Sequence, residues 1–114
     1  GFGVKDAYDA VKASLEAGTD FTALFAIADS MAIGAMRALR DAGRRIPEDC
    51  SVIAIDGLTV SEYVSPTLTT LVQPAEEMGR ESVRILLDIL DNGGANRHVR
   101  LEAKVRPGAS VKQL

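Results

Sequence analysis

Two carboxylates stand where apolar runs of this chain give out. Residues 24–27 (Leu-Phe-Ala-Ile) end two positions before Asp29, and residues 52–55 (Val-Ile-Ala-Ile) run directly into Asp56. A carboxylate at a strand end is a two-oxygen acceptor, suited to paired hydrogen bonds from sugar hydroxyls or from purine N–H groups. In open parallel sheets small molecules bind along the carboxyl ends of the strands, which makes Asp56 and Asp29 the candidate ligand-binding residues. Each also has a purely structural reading. Asp29 precedes a helix and could cap it, and Asp56 before Gly57 could close an Asx turn.

The other reactive groups assemble no catalytic set. His98 has Arg97 and Arg100 as neighbours and no cysteine or carboxylate at zinc-ligand spacing, so no metal site is expected. Cys50 follows Glu48 and Asp49, whose charges raise a thiol's pKa and suppress its nucleophilicity. Glu76 and Glu77 open a helix, where the positive end of the dipole accounts for them. No Gly-x-Ser-x-Gly elbow, Ser-His-Asp order or glycine-rich phosphate loop is present. The expectation is a binding protein rather than an enzyme, with no cofactor.

The elements that position the two acids follow from periodicity. Val4, Ala7, Tyr8, Val11 and Leu15 recur at helical spacing over residues 4–17, and Gly18 stops that helix. Residues 21–27 suit a short strand covered on both faces. A second helix is expected over residues 29–43, with Gly34 and the alanines permitting close approach to the sheet. Ile46-Pro47-Glu48-Asp49 then turns the chain into a strand over 51–55, completing a right-handed βαβ unit. Residues 57–67 read as a loop with at most one short helical turn, and residues 68–72 as a third strand. Gln73-Pro74 opens a helix reaching about Asp91.

That last helix carries Met78, Val83, Ile85, Leu86, Leu87, Ile89 and Leu90, more than one apolar stripe, so two of its faces call for burial. Residues 92–96 read as a flexible turn, and residues 98–105 as an alternating, half-buried strand. The predicted class is α/β: three layers, α/β/α, around a mostly parallel sheet.

Length and charge narrow the function. With 114 residues, 46% of them apolar and 25% charged, the chain is about one domain. A net charge of -3 argues against this segment holding nucleic acid by itself, which requires a basic stripe. Arg37, Arg40, Arg44 and Arg45 are offset by Asp41, Glu48 and Asp49 and read as a solvated helix face. The single Cys50 excludes an internal disulfide and fits a reducing, cytoplasmic compartment. No apolar run approaches the roughly 20 residues that span a bilayer, so no membrane partner is expected. The chain opens on Gly1 rather than Met and enters a helical pattern at once, which reads as a piece of a longer protein.

Residues 25–43 (FAIADSMAIGAMRALRDAG), 46–57 (IPEDCSVIAIDG) and 66–74 (PTLTTLVQP), with Glu77-Met78-Gly79 and Val105-Arg106-Pro107, keep a common order and spacing. As a set they resemble the C-terminal part of lactose-repressor (LacI/GalR) family regulators. The resemblance implies a periplasmic-binding-protein-like type I effector domain, in which a small molecule, a sugar or a nucleoside or purine, binds between two lobes. It further implies a homodimer, and operator DNA read by an N-terminal helix-turn-helix that these residues do not include. Asp56 then contacts the effector, and Asp29 sits beside it at the helix start.

By the same resemblance, residues 1–67 belong to the C-terminal lobe, and residues 68–114 return to the other lobe and end in a tail. Two positions depart from the family pattern. Ala28 replaces a frequent asparagine, and Ile55-Asp56-Gly57 replaces an aromatic followed by paired acids, which leaves the effector open. An extracytoplasmic sugar-binding receptor feeding an ABC transporter is the alternative, since that class shares the lobes.

Overall fold

A computed structural model describes residues 1–94 and 96–114, and its contacts divide the chain into two compact units. The first comprises Gly1–Val72 with Val105–Leu114, the second Gln73–Lys104. The first compact unit runs on through residue 72, because the third strand is hydrogen-bonded into its sheet.

In the first unit the chain runs through α1 (Val4–Glu16), β1 (Ala23–Ala26), α2 (Asp29–Asp41), β2 (Ser51–Asp56), a 3-10 turn (Thr59–Glu62) and β3 (Thr69–Val72). With β4 (Lys104–Arg106) the sheet order is β1-β2-β3-β4. β1 and β2 are parallel with Ala23 opposite Ser51, and β2 and β3 are parallel with Ala54 opposite Thr70. The alternation of side chains along these strands aims Ala26, Val52 and Ala54 at α2, whose Ala32, Met36 and Leu39 fill the core with Cys50 and Leu68.

The opposite face is open along β1 and at the start of β2. Phe25 is 59% exposed and Ile27 and Ile53 are also open, so β1 is covered on one face rather than on both. The α/β class holds, with helices packed on a sheet whose β1–β2 and β2–β3 pairs are parallel. Gly34 also serves a different purpose from the one anticipated. A Cβ there would lie 1.9 Å from the Val4 carbonyl, so this glycine lets α1 cross α2 and has no part in the approach to the sheet.

Residues 108–112 have no regular structure yet are stitched into the strands. The Ser110 hydroxyl accepts from the Thr69 N–H at 2.8 Å and donates to the Val52 carbonyl at 2.6 Å, while its own carbonyl accepts from the Val52 N–H. Gly108 N–H donates to the Thr69 hydroxyl, and Lys112 N–H to that of Ser51. The tail thus satisfies backbone groups at the start of β2 and β3 that no strand reaches.

The second unit is built on α3 (Ala75–Asn92), which ends at Gly93 in the left-handed conformation. None of its residues is buried, and Met78, Val83, Leu86, Leu87 and Leu90 are exposed. The strand expected over residues 98–105 is reduced to Lys104–Arg106. Alternation specifies a strand only where a neighbour offers a hydrogen-bonding edge, and among the described residues of this unit none precedes Lys104. The turn expected over residues 92–96 includes Ala95, which lies outside the described residues. Among the described residues no helix is long and apolar enough to cross a membrane.

Candidate functional site

The carboxyl end of β2 turns through two residues of unusual backbone geometry, Asp56 with φ of 145° and Gly57 with φ of 78°. A non-glycine residue held there stores about 1–3 kcal/mol of strain, which persists only if the surroundings over-determine it. They do so here through hydrogen bonds. The backbone N–H of Asp29, the first residue of α2, donates to Oδ2 of Asp56 at 3.3 Å. Ala28 occupies the N-cap position and offers no side-chain acceptor, so a first-turn donor of α2 is satisfied from the end of β2. The capping role open to Asp29 is filled by Asp56.

Asp29 itself is turned inward. It is 0% exposed, its Oδ2 accepts the Leu58 N–H at 2.8 Å, and its Oδ1 accepts the Thr70 hydroxyl at 2.5 Å. One buried carboxylate therefore ties the start of α2, the loop after β2 and the middle of β3 together. Gly57 N–H adds a bond to the Thr70 hydroxyl at 3.3 Å. A Cβ on Gly57 would meet the Cγ1 and Cα of Val72 at 2.7 and 2.8 Å, so the chain crosses β3 where only glycine fits.

The two acids are brought together as the sequence suggests, but they do different things. Asp56 is half-buried at the rim, while Asp29 works beneath it. Thr70 escaped the sequence reading. The signal for it was a threonine pair, Thr69-Thr70, opening a strand whose partners are otherwise apolar.

Other charged groups act away from this rim. Asp49 is held down to about 2 by the Arg45 guanidinium and the Arg45 N–H, which clips the turn before β2. Arg37 pairs with Asp41 on an exposed helix face, as expected. Burial in the core pushes the Cys50 thiol above its ordinary value, with Arg44 pulling the other way.

The periplasmic binding protein-like domain model matches residues 3–111. The HTH-type transcriptional regulator MalR of Clostridium butyricum is 38% identical over 87% of this chain and 30% of its own length. The HTH-type transcriptional repressor PurR of Vibrio atlanticus is 40% identical over 82% of this chain and 28% of its own. A LacI family transcriptional regulator from Arthrobacter sp. FB24, solved in complex with lactose, superimposes with a TM-score of 0.83 at 31% identity, over 96% of this chain and 42% of that one. The chain thus spans less than a third of the length of these curated relatives, and the relatives are regulators rather than transport receptors. The matched residues and the superimposed fold show that the chain belongs to the periplasmic binding protein-like domain family, alongside the effector-binding domains of LacI-type transcriptional regulators.

Proposed function

We propose that this chain is the effector-binding and dimerisation portion of a cytoplasmic, non-enzymatic LacI-type regulator whose operator contacts lie in a separate helix-turn-helix. The effector is a small sugar or nucleoside, and Asp56 is the residue that accepts its hydroxyl or N–H donors. The observation that carries this reading is the half-buried Asp56 at the carboxyl end of a parallel strand, kept at positive φ beside the start of α2. Asp29 serves the same site from below by fixing the loop that follows Asp56. A regulator with lactose bound among the structural neighbours supports the sugar class. Within residues 68–114, the part outside the first compact unit, 73–104, is the segment proposed to return to the other lobe, and the active species is a homodimer.

Signalling follows population shift. An effector that binds one lobe arrangement better than another moves the equilibrium by its differential affinity, and the dimer passes that difference to the DNA-reading head.

The test is calorimetric titration of the full-length regulator with lactose, ribose and adenosine in turn. Asp56→Ala is expected to weaken the probe that binds by about 1–3 kcal/mol, the cost of leaving buried polar partners unsatisfied. Unchanged affinity removes Asp56 from the contact surface.

A further inference from the structure

We propose that Arg106 is a positioning residue for the rim, holding the Gly57–Leu58 peptide in the orientation that presents Asp56. The role in effector binding rests on the reading of Asp56 given above. Arg106 is the last residue of β4, yet its guanidinium lies on the loop that follows β2. Nη2 donates to the Leu58 carbonyl at 3.0 Å and to the Ser61 hydroxyl, and Nη1 donates to the Gly57 carbonyl at a long 3.5 Å. Nη1 also pairs with the Glu62 carboxylate at 3.1 Å. Ser61 is fully buried, and its hydroxyl donates a hydrogen bond to the Leu58 carbonyl at 2.6 Å.

A peptide unit carries one N–H and one C=O in a single plane. In the unit between Gly57 and Leu58, the N–H is held by the Asp29 carboxylate and the C=O by the Arg106 guanidinium. A negative group grips the donor and a positive group the acceptor, so the plane is oriented from both poles. Gly57 has no Cβ to restrict its own rotation, and this external grip sets the direction in which the chain leaves Asp56. The placement is specific to the loop: Nε of Arg106 is buried without a partner among the described residues, so the fork is aimed at the loop rather than at satisfying all of its own donors.

A simple ion pair with Glu62 is the competing explanation, and it makes a different forecast. Glu62 is about half exposed, and a pair open to solvent on one side is partly screened. A lysine preserves such a pair but cannot reach several diverging acceptors as a planar fork does. The experiment is hydrogen-exchange mass spectrometry on the full-length regulator and its R106K, E62Q and Ser61→Ala variants. The probe is the peptide covering residues 56–63, and the internal reference is a peptide from α2.

R106K is expected to speed exchange at residues 57–61 by about tenfold while α2 stays within about twofold. Ser61→Ala, which removes one acceptor and keeps the charge, gives a smaller acceleration in the same peptide and serves if R106K folds poorly. E62Q stays close to wild type. Loop exchange equal to wild type in both R106K and Ser61→Ala overturns the proposal, as does acceleration spread equally through α2.

The same variants are titrated with lactose, ribose and adenosine. R106K is expected to weaken the probe that binds wild type by about tenfold, and intact affinity with a loosened loop overturns the link to Asp56. If none of the three binds wild type, the Asp56 reading fails, and the exchange result alone decides whether Arg106 holds the peptide.

Discussion

The rim at the end of β2 and the helix α3 stand at opposite extremes of the same chain. At the rim, a buried carboxylate, a buried threonine, two loop amides and a strand-end acid are bonded to one another, and a single Cβ at Gly57 has no room. Along α3 no residue is buried, and Leu90, on its apolar side, is 70% exposed. The contrast separates two ways in which sequence encodes a structure. The rim is specified internally, by polar groups that find one another within the first unit. The helix is specified by an apolar pattern that the described residues of its own unit leave largely exposed.

Three substitutions sharpen or break that contrast. Asp29→Ala is expected to have the largest effect. It leaves the Leu58 N–H and the Thr70 hydroxyl without their acceptor, for a loss of about 2–4 kcal/mol in urea unfolding of this chain. A loss below about 1 kcal/mol means that the rim relaxes or admits water, and that it is not internally specified.

Gly57→Ala comes next, at about 2 kcal/mol by the same measurement, since alanine adds strain at positive φ to a clash with the backbone of Val72. Wild-type stability for this variant contradicts the close approach of the loop to β3.

Leu86→Ser on α3 sits at the small end, within about 0.5 kcal/mol, because an exposed leucine has little packing to lose. A cost of several kcal/mol, measured alongside light scattering, instead shows that α3 is covered in solution by a second copy of the chain.

The sequence made the strand-helix alternation legible because each apolar run was bounded by a residue with a clear local role: Gly18 after α1, Gly43 after α2, Pro74 before α3. It also put Asp56 at a strand end, which is a matter of position alone. The exchange of roles between the acids lay beyond it. A carboxylate that caps its own helix and one that reaches inward occupy the same place in the sequence, and only the pairing of β1 with β2 decides between them. The alternation of Val99, Leu101, Ala103 and Val105 misled for a related reason. Period two reports a side-chain pattern, not whether a neighbouring edge exists to pair with. Likewise, the apolar run at Phe25 and Ile27 indicated a covered strand, whereas one of its faces is open.

The stitching of Ser110 between Val52 and Thr69 bears on how the molecule is made. Domains generally fold as units as they are synthesised. β2 and β3 leave the exit tunnel well ahead of the serine that occupies the gap between their first residues. A chain that has emerged only through β3 lacks this partner, so the Val52 and Thr69 amides have water in its place until residue 110 is available. Cleavage by a protease just before Gly108 would return a finished domain to that waiting state.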